Sequence, residues 1–363
     1  MLIKSHYLKT IFPGVVLALI FCLFSQGINN VLAIEIFGTP KSPISTALIA
    51  ILLGILMGNA FTPRPGMMIG LDFTQQYILK LGIIFLGIRL SFEELIKFGT
   101  IAIPLIIFCI LGVLILIKLL IKKVPISSKM SYLIAIGTSV CGATAIVATA
   151  PVLNAKKSEI AYAIANITLF GVIAMIVYPY FAEWYFDDNG LQIGLFLGTA
   201  IHETSQVAAA GLIYDQQFNN PETLNVATVT KLIRNTFLVI LIPLFAFLYN
   251  RGDVKDKNYS IFSIFPYFVL GFIGMIIVRN IGDQFFSIEN SDYEIYEIWR
   301  NIIGYIKALT TVFLTMAMAA VGISININEL KSMGYKPFVV GLIAAITVGI
   351  ISLVYIEVFT KFI

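Results

Sequence analysis

Residues 191–212 read LQIGLFLGTAIHETSQVAAAGL, which places an imidazole, a carboxylate, hydroxyls and an amide inside an otherwise apolar segment. At membrane depth such ionisable groups are costly, and they typically mark a solute or proton pathway. Because an imidazole titrates near neutral pH, we predict that His202 and the adjacent Glu203 take up and release a coupling proton. The alternative is that the two side chains satisfy each other or a neighbouring helix.

A second polar segment lies at residues 131–152, SYLIAIGTSVCGATAIVATAPV, where small and hydroxylic residues are concentrated. Small residues let backbone amides approach a ligand closely, and half-helix N-termini at a break attract an anion. Membrane helices also pack closely through the same residue types, so packing stays open as an alternative. We predict that both polar segments are discontinuous, either re-entrant or broken.

The rest of the chain is strongly apolar. Hydrophobic residues make up 59% of the 363 positions and charged residues 12%, which excludes a water-soluble fold. We predict an all-α polytopic membrane protein of about 9–11 transmembrane helices, folded as a single integral membrane transport domain over residues 1–363. The ordinary spans are expected near residues 9–27, 44–60, 74–90, 98–121, 157–182, 223–249, 261–279, 301–323 and 337–361.

Charges between the spans indicate how the chain is threaded through the bilayer. If both polar segments crossed the membrane, Lys156 and Lys157 would lie opposite the other basic loops, against the positive-inside rule. Two re-entrant hairpins instead place every strongly basic loop on the cytoplasmic side: residues 118–129, 156–157, 251–257 and 331–336. The charges therefore favour hairpins, in a multi-pass protein of the bacterial inner membrane with a cytoplasmic N-terminus.

Two internal echoes indicate a repeat. Residues 86–99 align without gaps on residues 321–334, with Gly, Ile, Glu, Leu and Gly coinciding. Residues 137–143 echo residues 198–204, and each is followed by a span with a central asparagine, Asn166 or Asn235. With two hairpins, both echoes relate elements of opposite orientation, which is the inverted-repeat arrangement of many secondary transporters.

The two polar segments, with the span that follows each, supply the residues expected to contact a solute. We predict that backbone amides and side-chain hydroxyls surround it, and that the two asparagines face the same cavity. The predicted solute-binding residues are Thr138, Ser139, Cys141, Gly142, Thr144, Thr199, Thr204, Ser205, Gln206, Lys231, Arg234, Asn166 and Asn235.

Basic side chains within the spans favour an anionic solute. Lys231 and Arg234 lie one turn apart, and Lys80 lies near the middle of another span. For Lys231 and Arg234, attraction of an anion and an interfacial position both stay open. Arg89 and Lys307 are expected to snorkel to the membrane interface.

Enzymatic functions have less support. His202-Glu203-x-x-Gln206 resembles the zinc-protease pattern, but Gln206 replaces the second histidine, and the only other histidine is His6. An intramembrane hydrolase built on Ser139 and His202 requires that the two side chains meet. We expect no enzyme activity, no metal or other cofactor and no nucleic-acid binding.

In combination these motifs resemble the YeiH-type sulfate exporter family over nearly the whole chain. The resemblance rests on residues 137–151, on Ile201-His202-Glu203 with residues 206–211, and on residues 231–235. It implies a distant relation to bile-acid symporters and sodium/proton antiporters, with inverted repeats and discontinuous helices. Where the family commonly has His followed by Asp, this chain has Glu203, which extends the carboxylate by one methylene.

These observations predict a secondary active transporter that works by alternating access. The resemblance implies export of sulfate or a small organosulfur anion, with a proton or another ion as the coupling partner. A sodium/proton antiporter, in which Glu203 binds the cation, is the alternative, and an intramembrane enzyme is the third interpretation. The expected partners are the anion, a coupling proton or sodium ion, the lipid bilayer and, as one option, a second copy in a homodimer.

Overall fold

The computed structural model describes residues 2–36, 42, 44–61, 64–120, 126–249, 266–286, 293–328 and 335–359. Nearly all of these residues are helical, and no strand occurs within these ranges. The all-α fold is therefore confirmed. The helices, numbered in chain order, are α1 Leu2–Val31, α2 Thr46–Ala60, α3 Pro65–Phe73, α4 Leu79–Leu86, α5 Phe92–Leu120, α6 Ser128–Ser139, α7 Ala143–Thr149, α8 Lys157–Phe186, α9 Gly190–Ala200, α10 Thr204–Phe218, α11 Pro221–Thr236, α12 Leu238–Tyr249, α13 Phe268–Phe285, α14 Tyr293–Ser324 and α15 Tyr335–Phe359.

The polytopic membrane character is also confirmed. Eight helical segments within the described ranges are long and apolar enough to cross a bilayer: Thr10–Ile36, Pro65–Arg89, Phe92–Leu120, Lys157–Phe186, Pro221–Phe245, Phe268–Phe285, Tyr293–Ser324 and Tyr335–Phe359. They coincide with eight of the nine expected ordinary spans. The ninth, near residues 44–60, corresponds to α2, whose 15 residues extend only about 22 Å.

By its internal contacts the chain divides into two compact units. Unit 1 comprises Met1–Ile96, Gly211–Pro221 and Tyr267–Ile327. Unit 2 comprises Lys97–Ala210, Glu222–Pro266 and Asn328–Ile363. That the whole chain acts as one transport domain stays a prediction.

Glycines bring the helices of unit 1 into close contact. Gly54 and Gly58 of α2 lie against the backbone of α14, at Ala319 and Ile323. A Cβ atom at either glycine would meet main-chain atoms rather than flexible side chains. These contacts follow the small-residue packing common between membrane helices.

In unit 2 the first polar segment folds back on itself between α6 and α7. At the start of α6, Lys129 Nζ donates a hydrogen bond of 2.7 Å to the carbonyl of Asn154, and Ser127 is hydrogen-bonded to Glu159. Further along, a Cβ at Gly137 would lie 3.1 Å from Ile167 of α8. α6 and α8 therefore start at one level and run in parallel, which makes α6 and α7 a re-entrant hairpin.

The second polar segment, α9 and α10, folds back on itself in the same way. Thr223 Oγ1, at the start of α11, donates to the carbonyl of Gly190 at 3.3 Å. Farther along, Gly194 faces Val226 and Gly198 faces Thr230. α9 and α11 therefore run side by side in one direction while α10 returns, so this segment is also a re-entrant hairpin.

The two hairpins are inverted relative to each other, and both breaks lie in unit 2, although α10 passes into unit 1 at Gly211. α8 turns back into α9 through Asp187–Asn189, and Phe196 of α9 lies 5.0 Å from Tyr178 of α8 between ring centroids. α6 and α9 consequently start from opposite ends of α8. The echo of residues 137–143 in residues 198–204 is thus an inverted repeat, α6–α8 against α9–α11.

Part of the other sequence predictions lies outside the described residues. The echo of residues 86–99 runs to residue 334, and residues 329–334 are among those not described. The same holds for the basic residues expected at 122–123, 251–257 and 331. Lys129, Lys156 and Lys157 lie together at the end of unit 2 from which α6 starts, in agreement with the hairpin threading.

Candidate functional site

Within unit 2 the breaks of the two hairpins lie against each other. A Cβ atom at Gly142 would lie 3.3 Å from Glu203 Cβ and 3.3 Å from Ile167 of α8. Gly142 has a φ of 70°, which glycine adopts without penalty and residues with a side chain rarely adopt. We call the contact of residues 138–142 with residues 199–204 the crossing.

The side chain of Lys231, on α11, contacts the crossing at both breaks. Its side chain is completely buried. Nζ donates to the carbonyl of Val140 at 2.8 Å, to that of Ile201 at 3.1 Å and to that of His202. An ammonium has three N–H groups, so these carbonyls occupy every donor of Lys231.

Arg234, one turn further along α11, is also completely buried. Its Nε donates to the carbonyl of Ser139 at 2.8 Å, and Nη2 donates to that of Thr138. Nη1 donates to the carbonyls of Thr199 at 2.5 Å and Ile201 at 3.3 Å. Four of the five guanidinium N–H groups therefore bind backbone carbonyls.

Together these hydrogen bonds supply donors and positive charge to the last carbonyl groups of α6 and α9. A helix leaves its last carbonyls without partners and carries a partial negative charge at that end. Lys231 and Arg234 supply both donors and positive charge to carbonyls of the two half-helices at once. The pair therefore holds the crossing together, and its predicted contact with an anion stays a prediction.

Glu203 is the acidic group of the crossing. Its residue is partly exposed, and its main-chain N–H donates to Gln206 Oε1 at 3.3 Å. The carboxylate makes no ion pair within the described part of the chain. A partly exposed acidic residue that forms no ion pair can bind and release a proton or a cation, as the sequence predicts for it.

Three buried polar atoms at the crossing have no hydrogen-bond partner among the described residues: Thr138 Oγ1, Ser139 Oγ and His202 Nδ1. The same holds for Oδ1 of Asn235, whose Nδ2 contacts the crossing at Thr204. Most buried polar groups in proteins do have a partner, and those that do not call for an explanation such as a bound solute. Thr138 and Ser139 can each donate a hydroxyl proton to an oxyanion. The dyad of Ser139 and His202 that an intramembrane hydrolase would need is not hydrogen-bonded through Ser139 Oγ in the described part of the chain.

Other predicted residues pack around the same breaks. Thr199 Oγ1 donates within α9 to the carbonyl of Leu195 at 2.7 Å and lies 2.6 Å from Ser352 Oγ of α15. Asn235 Nδ2 donates to Thr204 Oγ1 at 3.0 Å, at the start of α10. Cys141 and Ser205 are also buried; in the chain they adjoin Gly142 and Thr204, respectively.

Three predicted residues have other surroundings. Asn166 Nδ2 donates to the carbonyl of Pro337 at 2.5 Å, which ties α8 to α15. Gln206 Nε2 donates to the carbonyl of Thr168 at 3.4 Å, and Gly171 leaves space for its amide. Thr144 is exposed on α7. A role of these residues in solute contact stays a prediction.

Sequence reasoning missed several polar residues that unit 2 buries, among them Ser352, Asn225 and Thr230. Ser352 contacts Thr199, and an isolated serine in an apolar span gives no signal of that contact. Asn225 Oδ1 and Thr230 Oγ1 are buried without a partner among the described residues. A signal for these two was present, because α11 carries polar residues at many positions yet is buried over Thr223–Leu232.

Comparison with known proteins agrees with a membrane-embedded helical fold. A family model described as conserved hypothetical protein 698 matches residues 13–341. The chain is 33% identical over 322 residues to a UPF0324 membrane protein of Fusobacterium nucleatum, covering 88% of this chain and 91% of the relative. It is 33% identical over 341 residues to a UPF0324 membrane protein of Streptococcus agalactiae, covering 93% and 94%. The chain belongs to the conserved hypothetical protein 698 family, that of the UPF0324 membrane proteins.

Proposed function

We propose that this protein is a secondary transporter that moves a small oxyanion, with sulfate or an organosulfur anion as the favoured solute. Solute would bind at the crossing in unit 2, and Glu203 would carry the coupling proton. The sequence resemblance implies that the direction would be export. The charge pattern implies a bacterial inner membrane, with the N-terminus in the cytoplasm.

The observation that carries this proposal is the pair of buried cations, Lys231 and Arg234. Neither forms an ion pair with a carboxylate in the described part of the chain. Glu203 is the acidic residue at the breaks, so two formal positive charges face one negative charge. The partial negative charges at the ends of α6 and α9 offset part of this excess, and a bound anion would supply further negative charge.

The unpaired hydroxyls give the anion specific partners. Thr138 Oγ1 and Ser139 Oγ are buried next to the carbonyls that Arg234 binds. Hydroxyl donors combined with nearby positive charge are suited to oxyanions. Protonation of Glu203 would change the charge beside the anion, so that anion binding depends on the protonation state of Glu203.

The test is transport of labelled sulfate by the full-length protein in proteoliposomes, with and without an imposed pH gradient. We expect sulfate flux in the native protein to follow the gradient, and we expect Glu203→Gln to lose that response. Glu222→Gln is the matched control, because Glu222 is an exposed carboxylate at the start of α11. Sulfate flux that is equal in Glu203→Gln and Glu222→Gln would contradict the proposed role of Glu203.

A second candidate is sodium/proton antiport. It is favoured by one observation, that Glu203 is partly exposed and forms no ion pair in the described part of the chain, while every donor of Lys231 is occupied by backbone carbonyls. In that case Lys231 and Arg234 would be structural and Glu203 would bind the cation. Sodium-dependent proton movement that requires Glu203 and ignores sulfate would decide for this candidate.

A further inference from the structure

Unit 1 contains a second group of basic residues, far from the crossing in sequence. Ile88, Trp299 and Ile303 pack together, with Met275 and Ile306 against them. Four cationic residues follow these apolar residues in the chain by one position or by one helical turn. They are Arg89, Arg279, Arg300 and Lys307, here called the basic cluster.

Lys307 lies at the centre of the basic cluster. It is half-buried on α14, and Arg89, Arg279 and Arg300, as well as the carboxylate of Asp283, are close enough to interact with it electrostatically. The sequence predicts that Arg89 and Lys307 snorkel to the interface. That stays a prediction; in the structure Arg89 forms a 2.8 Å ion pair with Asp215, and its side chain is 13% exposed.

The carboxylates near the basic cluster are already engaged. Asp215 pairs with Arg89. Asp283 pairs with Arg279 and accepts a 2.8 Å hydrogen bond from Trp299 Nε1. Lys307 therefore has neither an ion pair nor a side-chain hydrogen bond in the described part of the chain. In addition, Arg89 Nε is buried without a partner among the same residues.

Two of these four cations thus pair with a carboxylate, whereas Arg300 and Lys307 form no ion pair among the described residues. Half-buried cations repel one another more strongly than cations in water, because the protein screens them less. Guanidinium and ammonium donors together are well suited to the oxygen atoms of a tetrahedral oxyanion. An anion between them would relieve the repulsion and use the unpaired donors.

We propose that the basic cluster is an oxyanion-binding site of the sulfate or phosphate class. The same chemistry is offered by a free anion and by the phosphate headgroup of an anionic phospholipid. The site consists only of unit 1 residues and does not depend on the transport function proposed for the crossing.

Trp299 provides a local reporter for the test. The chain has two tryptophans, so Trp184→Phe leaves Trp299 as the only one. The full-length Trp184→Phe protein is placed in nanodiscs of phosphatidylcholine and titrated with sulfate or phosphate, with chloride at matched ionic strength as reference. We expect a saturable change in tryptophan emission with sulfate and phosphate but not with chloride.

Variants at Lys307 decide whether the basic cluster binds the anion. Lys307→Gln should weaken the apparent affinity about tenfold or more, and Lys307→Arg should restore most of it. Lys80→Gln is the matched control: the sequence counts Lys80 among the cations that favour an anionic solute, but in the structure it is exposed in the same unit, with its Nζ 5.7 Å from the ring centroid of Tyr77. It should bind sulfate like the parent.

A second series in nanodiscs containing phosphatidylglycerol separates the two sources of oxyanion. If the headgroup occupies the site, phosphatidylglycerol alone changes the emission and suppresses the sulfate response, and Lys307→Gln removes both effects. If only free anions bind, phosphatidylglycerol has no effect. The proposal is overturned if neither source changes the emission, or if Lys307→Gln and Lys80→Gln respond alike.

Discussion

Gly142 is the residue at which the crossing is most sensitive to a single added carbon atom. Its φ of 70° disfavours any side chain, and a Cβ would press on Glu203 and Ile167. We expect Gly142→Ala to lower the free energy of unfolding by about 1–3 kcal/mol. Thermal unfolding in detergent measures this, with Gly66→Ala as control, because a Cβ at Gly66 of α3 meets nothing within 4 Å. Equal melting of the two variants would be inconsistent with this role of Gly142.

A substitution of Lys231 tests whether the buried cations stabilise the crossing. Replacing it with Met keeps most of the side-chain length but removes the donors to three buried carbonyls. We expect Lys231→Met to destabilise the fold by about 3 kcal/mol or more, since hydrogen bonds to charged groups are among the stronger ones. Lys80→Met removes an exposed lysine from a membrane helix and should change stability little. If both variants unfold at the same temperature, Lys231 does not stabilise the crossing.

The sequence predicted the two breaks but not the side-chain contacts around them. Polar residues concentrated in apolar segments located both breaks, and the positions of Lys156 and Lys157 favoured hairpins over crossing helices. The partners of Lys231 and Arg234 were not predictable, because they are main-chain carbonyls that any sequence would supply once two breaks meet. The pairing of Arg89 with Asp215 also escaped prediction, since 126 residues separate the two in the chain.

At the scale of elements, the two hairpins predict which chain segments share a side of the membrane. Ser128 and Lys157 flank the first hairpin, and Asp188 and Glu222 flank the second; all four are exposed. Single cysteines at Ser128 and Lys157 should react with an impermeant maleimide from one side, expected to be cytoplasmic. Cysteines at Asp188 and Glu222 should react from the other side.

The native background of that labelling is low because Cys22, Cys109 and Cys141 are all buried. A segment that crossed the membrane would separate its two flanking residues. Labelling of Ser128→Cys and Lys157→Cys from opposite sides would therefore show that α6 and α7 cross the bilayer. The same comparison of Asp188→Cys with Glu222→Cys examines α9 and α10 independently.

For the whole molecule, the two units predict two separable anion-dependent properties. Glu203 belongs to unit 2 and Lys307 to unit 1, and no described hydrogen bond or ion pair is shared between them. Substitutions without shared partners usually have additive effects on stability, within about 0.5 kcal/mol. We therefore expect Glu203→Gln to abolish the response of sulfate flux to a pH gradient while leaving the anion response of Trp299 intact. Lys307→Gln should do the reverse, and the double variant should show both losses with an additive change in the free energy of unfolding. Loss of gradient-driven flux in Lys307→Gln would mean instead that the basic cluster of unit 1 takes part in the transport cycle.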